Sequence, residues 1–133
     1  MTAGAQARCA VGVVISGRCR DVAEHRSARF PVFARGTSTL GQSSFTRPSL
    51  VGEPLIIKPR MDVEQGDEAF PAVIVETGDW IVADEDGVVC VPRDVEQQVI
   101  ELATEGKRVD ALCLAHIKAG KGILTAFKTY RGK

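Results

Sequence analysis

Short apolar runs separated by small, polar and charged residues mark the first part of the chain. The run over 11–15, "VGVVI", predicts a buried strand that ends at 16–17. A short helix is predicted over 21–29, because Pro31 follows Phe30 and the residue before a proline avoids the helical region. The segment "PVFARG" then predicts a second short strand.

The residues before the first strand also carry a pattern. Residues 3–10 have the small, helix-tolerant composition of the last turns of a helix. The chain therefore opens inside a predicted helix, with no capping residue or earlier element to cover its apolar side. A sheet that begins in this way is expected to have an uncovered flank.

The middle of the chain is predicted to be mostly sheet. The run 37–54 is rich in Ser, Thr, Gly and Pro, which predicts a long loop or an excursion at a strand edge. The segment 54–59, "PLIIKP", predicts a strand, and 60–71 is expected to be a surface insertion. Residues 72–92 predict three short strands joined by Thr-Gly-Asp and Asp-Glu-Asp-Gly turns.

After Pro92 the pattern changes to that of a helix. Gly106 is a point at which this helix could divide in two, and the basic segment 118–133 is expected to be a docked or frayed end rather than a binding arm. Residues 1–133 are predicted to form one domain. In the predicted helix after Pro92, the apolar residues with helical spacing are Val95, Val99, Leu102, Val109 and Leu112.

Composition and charge narrow the class of protein. The 133 residues are 44% hydrophobic and 26% charged, which suits one globular domain. Seventeen basic and seventeen acidic residues cancel, so no overall field attracts nucleic acid or an anionic membrane. The start of the chain lacks the features of a secretory signal, and no segment approaches the roughly 20 apolar residues that cross a bilayer. We expect a cytoplasmic protein.

The four cysteines and two histidines give little sign of chemistry. Cys9, Cys19, Cys90 and Cys113 are widely spaced and include no Cys-x-x-Cys pair, so free thiols are predicted. The two histidines, at 25 and 116, have no visible partner in the sequence, and we expect ordinary surface or boundary roles for both.

Arg20, Asp21 and Glu24 form the strongest candidate site. They follow the first predicted strand, and open α/β folds commonly bind ligands where strands end at the carboxyl edge of a sheet. An arginine can hold a carboxylate through two hydrogen bonds, and an aspartate can hold a divalent cation that polarises a neighbouring carbonyl. These two groups together fit a 2-oxo acid. Glu24 lies three positions after Asp21, on the same face of the predicted helix, where it could orient water on the metal.

Structural roles account for the same residue types. An Arg-Asp-Glu cluster at an exposed helix start commonly means only favourable charge placement. The acidic residues 84–86 precede Gly87, which predicts a tight turn rather than a metal site. Arg35 is expected to be an exposed side chain beside a turn, with anion binding across a subunit boundary as the alternative.

Two motifs, "GVVISGRCRDVAEHRSARFPVFARGTST" and later "TGDWIVADEDGVVCVP", resemble the RraA-like family. That family is named for a regulator of ribonuclease activity and includes the 4-hydroxy-4-methyl-2-oxoglutarate aldolases. The resemblance implies an α/β fold of the swivelling β/β/α type, here shortened at the N-terminus and followed by a C-terminal helix. It also implies homotrimers or hexamers with sites at subunit boundaries.

The resemblance further implies a lyase that uses Mg²⁺ or Mn²⁺ to release pyruvate from 4-hydroxy-2-oxo acids, such as 4-hydroxy-4-methyl-2-oxoglutarate, and from oxaloacetate. The family's aldolase signature ends in Arg-Asp-x-x-acid, which "RDVAE" matches. It implies Arg20 as the catalytic residue that binds the substrate oxygens, Asp21 as the metal ligand and Glu24 as a catalytic residue near metal-bound water. Glu24 favours the enzyme branch, because the ribonuclease-regulator branch typically lacks that acid.

Two departures from the family pattern leave an alternative open. The glycine of the signature would lie before Met1, and Ser16 stands where many relatives have an aspartate. The alternative function is a non-catalytic RraA-like binding or regulatory protein of the ribonuclease-regulator type, or an inactive fragment.

Overall fold

The computed structural model describes residues 1–44, 46–58 and 71–132. These form two compact units, Met1–Cys90 and Val91–Lys133. The first unit mixes helices and strands, and the second is helical, which confirms the predicted α/β class with a C-terminal helix. Within the described ranges, every helix is too short or too polar to cross a membrane.

The first unit opens with helix α1 (Thr2–Gln6), strand β1 (Val13–Cys19), helix α2 (Val22–Ser27) and strand β2 (Val32–Thr37). The predicted strand, helix and strand are therefore confirmed. Helix α1 ends earlier than the predicted segment 3–10, because a turn follows it directly.

Strand β1 runs parallel to β2, with Val13 opposite Val32 and Cys19 opposite Thr37. The register shifts between Ile15 and Arg18, so a bulge-like irregularity takes up the two residues between them. The prediction that the strand ends at 16–17 is wrong, because pairing with β2 resumes past the irregularity. This extension carries the chain to the turn that holds the candidate site.

The following part of the first unit contains the remaining strands. The predicted loop over 37–54 begins at Thr37, the last residue of β2, and then holds a 3₁₀ turn at Gln42–Ser44 with no further strand among its described residues. Strand β3 (Leu55–Ile57) pairs antiparallel with β4 (Val73–Val75), which confirms a strand in 54–59.

A second strand pair closes the first unit. Strand β5 (Trp80–Ala83) pairs with β6 (Val88–Val91), so 72–92 contains three strands as predicted. The predicted surface insertion over 60–71 lies outside the described residues except for Pro71.

Apolar side chains of these strands remain exposed. Phe30 is buried, with 6% of its surface exposed, whereas strand residues line an open groove of about 940 Å³ within the first unit. Two-stranded sheets are marginal on their own, and parallel pairs are normally covered on both faces. The exposed strand residues include Leu55 (60%), Ile56 (63%), Ile74 (56%), Val82 (61%) and Val89 (60%).

The second unit is a pair of packed helices. A 3₁₀ turn leads into α3 (Glu96–Lys118), and α4 (Ile123–Tyr130) packs against it. Helix α3 is continuous through Gly106, so the predicted division is wrong. One helical glycine costs only about 1 kcal/mol relative to alanine, which the rest of a 23-residue helix can absorb. Cys113 and Ala126 are buried.

Candidate functional site

Arg20, Asp21 and Glu24 lie together at the turn between β1 and α2. Strand β1 ends at Cys19, Asp21 is the N-cap of α2, and Glu24 lies in the first helical turn. Two hydrogen bonds hold the end of the strand: the side-chain Nη1 of Arg18 donates to the Thr37 carbonyl at 3.0 Å, and the backbone N–H of Ser38 donates to the Cys19 carbonyl at 2.8 Å. The predicted position at a strand-to-helix turn is confirmed.

Asp21 differs from the prediction in one respect, because it precedes the helix instead of forming its first turn. Its backbone is left-handed, with φ 61° and ψ 35°, and its side chain makes no capping hydrogen bond. An ordinary N-cap has extended backbone and a side chain bonded to the helix N–H groups. The Asp21 carboxylate is therefore not used for capping.

Arg20 and Asp21 form an exposed ion pair. Arg20 Nε lies 3.4 Å from Asp21 Oδ2, and the two side chains are 49% and 56% exposed. An exposed pair of this kind contributes roughly 0–1 kcal/mol, because water screens both charges. Both groups can therefore exchange this contact for a ligand at little cost.

Gly41 has no side chain, and this leaves room for the Arg20 guanidinium beside it. A Cβ atom added at Gly41 would lie 3.3 Å from Arg20 Nη1, which is closer than ordinary van der Waals contact. This glycine is not among the predicted site residues, because a Gly in a Ser/Thr/Gly/Pro-rich loop carries no sign of which side chain approaches it. The loop 37–54 thus lies beside the candidate site at this point.

His25 has two hydrogen-bond partners at the same turn. Its Nε2 lies 2.7 Å from the Arg20 carbonyl oxygen, and its Nδ1 lies 2.6 Å from Thr2 Oγ1. The sequence shows no partner for this histidine, whereas the structure gives it two, and its half-buried side chain agrees with the expected surface or boundary position. Thr2 lies 23 positions before His25, so no local sequence pattern indicates the contact.

A divalent metal fits this turn only through carboxylate oxygens. Among the residues that the structure describes, no three His, Cys, Asp or Glu side chains gather into a metal-binding group. Mg²⁺ commonly uses one or two protein carboxylates and keeps several waters, so a full protein cage is not required. Asp21 is exposed and free of a capping role, and Glu24 is exposed one turn away. This donor set fits Mg²⁺ or Mn²⁺.

The acidic segment 84–86 makes a turn. Asp84 Oδ1 accepts hydrogen bonds from the N–H groups of Asp86, at 2.9 Å, and Gly87, at 3.3 Å. The Asp84 N–H donates to the Gly87 carbonyl at 3.0 Å. The tight-turn interpretation is therefore confirmed. Arg35 is exposed on β2 and donates to the Lys58 carbonyl.

Cys90 lies beside an acidic side chain. Its thiol lies 3.5 Å from Asp79 Oδ2. Burial raises the pKa of the Cys90 thiol, and the hydrogen bond to the negative Asp79 carboxylate raises it further. A raised pKa favours the neutral thiol over the nucleophilic thiolate. The four cysteines are free thiols, as predicted.

His116 lies in the second unit, where its ring meets Tyr130 edge to face with the centroids 5.6 Å apart. Its Nε2 atom is buried, with no hydrogen-bond partner in the described part of the chain. The histidine therefore packs between α3 and α4.

The fold and this turn define an α/β protein whose candidate site lies directly after its first strand. The chain belongs to the RraA-like family, because the Aldolase/RraA family model matches residues 1–90. The match includes β1, α2 and the whole Arg-Asp-x-x-Glu turn.

Two relatives illustrate the similarity. Over 99 residues the chain is 29% identical to a Halalkalibacterium halodurans protein named "Putative 4-hydroxy-4-methyl-2-oxoglutarate aldolase". That match covers 74% of this chain and 40% of the relative. A crystal structure of an uncharacterized protein from Pseudomonas syringae pv. tomato strain DC3000 superposes with a TM-score of 0.81 and 27% identity. The superposition covers 98% of this chain and 55% of the Pseudomonas syringae protein.

Proposed function

We propose that this chain carries the metal and 2-oxo acid groups of a divalent-metal-dependent pyruvate aldolase. The observation that supports this most is the exposed Arg20–Asp21 pair, followed by Glu24, inside the segment that the family model matches. Aldolases of this family generally depend on a divalent metal. The proposed substrates are 4-hydroxy-2-oxo acids such as 4-hydroxy-4-methyl-2-oxoglutarate, and oxaloacetate, with pyruvate as the product.

Each residue has a distinct part in the proposed site. Arg20 binds the substrate carboxylate, since its guanidinium is exposed and its existing contact with Asp21 is weak. Asp21 is the metal ligand, and Glu24 supplies a second carboxylate that orients water beside the substrate. A bound Mg²⁺ or Mn²⁺ supplies a Lewis acid for the 2-oxo group.

Assembly forms part of the same proposal. The exposed apolar strand residues of the first unit support association with further polypeptide, because contiguous apolar patches commonly mark interfaces. A homotrimer or hexamer, with sites completed at subunit boundaries, accounts for a turn that presents few ligands by itself.

Substitution of Asp21 tests the proposed metal site. Asparagine is well tolerated in left-handed backbone, so Asp21→Asn removes the charge while keeping the turn. We expect pyruvate release with saturating Mg²⁺ to fall at least about 100-fold. Asp86→Asn is the matched control, because the Asp86 side chain is exposed at a turn away from this one. Equal activity in the Asp21→Asn and wild-type proteins would contradict the proposal.

A non-catalytic binding or regulatory subunit is the second candidate function. The observation that favours it is the extent of exposed apolar strand surface, together with a chain that spans 40% of the aldolase-named relative. The same assay separates the two functions. A folded chain without metal-dependent pyruvate release would favour the binding role.

A further inference from the structure

The turn that presents Arg20 and Asp21 needs support from outside itself. Asp21 has left-handed backbone, which costs a residue other than glycine roughly 1–2 kcal/mol, although aspartate tolerates it better than most. The Asp21 side chain makes no capping bond that would fix the start of α2. The ion pair between Arg20 and Asp21 is exposed and therefore weak. Backbone bonds lie on both sides of the turn, from the Ser38 N–H to the Cys19 carbonyl at 2.8 Å and from the His25 N–H to the Asp21 carbonyl at 3.1 Å. The Arg20 carbonyl lies between these two bonds.

We propose that His25 is a positioning residue that holds the Arg20–Asp21 turn by linking the Arg20 carbonyl to Thr2 on α1. This inference rests on the proposed function, because the turn is the proposed metal and substrate site. No contact of His25 with either ligand is required.

The partners of the ring fix which nitrogen carries the proton. The Arg20 carbonyl can only accept, so His25 Nε2 must donate to it across 2.7 Å. In the neutral ring Nδ1 is then the acceptor, and the Thr2 hydroxyl donates to it across 2.6 Å. The structure therefore assigns the Nε2–H tautomer to neutral His25.

The far end of this link is firmly placed. Thr2 is 3% exposed, and among the described residues it is the one polar residue that is buried. A second bond joins the same two helices, since Gln6 Nε2 donates to the Ala28 carbonyl at 2.9 Å. The first and last residues of α1 are therefore both bonded, one to a side chain of α2 and one to the carbonyl of its C-cap residue. Through His25, this contact reaches the backbone carbonyl that precedes Asp21.

The hydrogen bond from His25 reaches the Arg20 backbone, so it affects where the Arg20 side chain lies and makes no contact with the guanidinium itself. The guanidinium already fits closely beside Gly41, where an added Cβ would lie 3.3 Å from Nη1. A shift of the Arg20 backbone would therefore move the guanidinium against the 37–54 loop. Displacements of about 1 Å near a reacting group can cost on the order of 100-fold in rate.

Three variants test the link. His25→Ala removes both hydrogen bonds, and His25→Gln keeps an N–H donor near the position of Nε2. Thr2→Val removes the hydroxyl with little change of shape and serves if His25→Ala fails to fold. Ser27→Ala is the matched control, because Ser27 is exposed on the same helix.

Activity and metal binding provide the first readouts. We expect His25→Ala to lower kcat/KM for pyruvate release by about 10- to 100-fold and to raise the Mg²⁺ concentration needed for half-maximal activity. His25→Gln should recover most of the loss, and Ser27→Ala should behave as wild type. A merely structural role would lower the thermal midpoint while leaving the affinity for Mn²⁺ alone, measured by electron paramagnetic resonance, unchanged in the folded variant.

The imidazole spectrum separates this proposal from the proposed function. Two-bond ¹H–¹⁵N spectra of the neutral ring should show the Nε2–H tautomer, and His25→Ala should shift the Asp21 amide resonance more than Ser27→Ala does. These results support the link even if the wild-type chain releases no pyruvate, an outcome that would contradict only the aldolase proposal. An Nδ1–H tautomer, or an unchanged Asp21 amide, would overturn the positioning role whatever the activity.

Discussion

Asp21 contributes to the candidate site in two ways, since its left-handed backbone forms the turn and its carboxylate is the proposed metal ligand. Few residue types other than glycine accept φ 61°, and aspartate is among the more tolerant of them. Because the side chain is not used to cap α2, its oxygens remain available to a ligand. A single residue type thus satisfies both the turn and the proposed metal chemistry.

Cys90 allows an electrostatic prediction at a single residue. Asp79→Asn removes the negative charge that helps to raise the pKa of the Cys90 thiol, while the amide oxygen can still accept the 2.9 Å bond from the Glu76 N–H. We expect the pKa of Cys90 to fall and its alkylation by iodoacetamide to become faster at about pH 8.5, where the thiolate fraction limits the rate.

The measurement is site-resolved mass spectrometry of the alkylated chain. Cys9, which is exposed, serves as the internal reference because its rate should not change. Slower or equal alkylation of Cys90 in Asp79→Asn would show that the carboxylate does not raise this pKa.

Helix α2 ends in a motif that normally uses glycine. The Phe30 N–H donates to the His25 carbonyl and the Arg29 N–H donates to the Arg26 carbonyl, both at 3.0 Å. These are the two bonds of a Schellman motif, and Arg29 occupies its left-handed position with φ 49°. Phe30, the next residue, is buried. The helix therefore stops for a local reason in addition to the proline at 31.

Replacing the left-handed arginine by glycine should stabilise the first unit. We expect Arg29→Gly to raise the free energy of unfolding by about 0.5–1 kcal/mol, because glycine adopts φ 49° without steric cost. Arg26→Gly, the same chemical change inside α2, should lower it by about 0.5–1 kcal/mol. Chemical denaturation measures both values. Equal losses of stability in the two variants would contradict the Schellman assignment.

The sequence indicates most elements but not how they end. Short apolar runs predict β2, β3 and β4, since strand formation there depends on local composition. The irregularity in β1 depends on the register with β2, which no single segment reveals. The left-handed backbone at Arg29 is equally hidden, because residues other than glycine seldom adopt it.

The candidate site is predictable only in its local part. Arg20, Asp21 and Glu24 are close in sequence, so a strand followed by a helix brings them to one turn. The approach of Gly41 to Arg20 and the bond between Thr2 and His25 join residues more than 20 positions apart. Such contacts follow from tertiary packing, and periodicity carries no sign of them.

At the scale of the whole molecule, the proposed chemistry depends on what covers the first unit. A groove of about 940 Å³ runs along the strands of the first unit, and several of the strand side chains are more than half exposed. Apolar strand surface of this kind is typical of positions that further polypeptide covers. The chain spans 40% of the aldolase-named relative and 55% of the solved one. Activity of the whole protein is therefore a proposal that must be tested on the chain as it assembles.

The most direct test is pyruvate release from 4-hydroxy-4-methyl-2-oxoglutarate and from oxaloacetate by the purified chain. Parallel reactions contain Mg²⁺, Mn²⁺ or a chelator, and light scattering records the assembly state of the same sample. We predict pyruvate release with either metal and none above the uncatalysed rate with the chelator. Full activity in the chelator would contradict a metal-dependent site at Asp21, and a folded chain inactive with both metals would contradict the aldolase proposal.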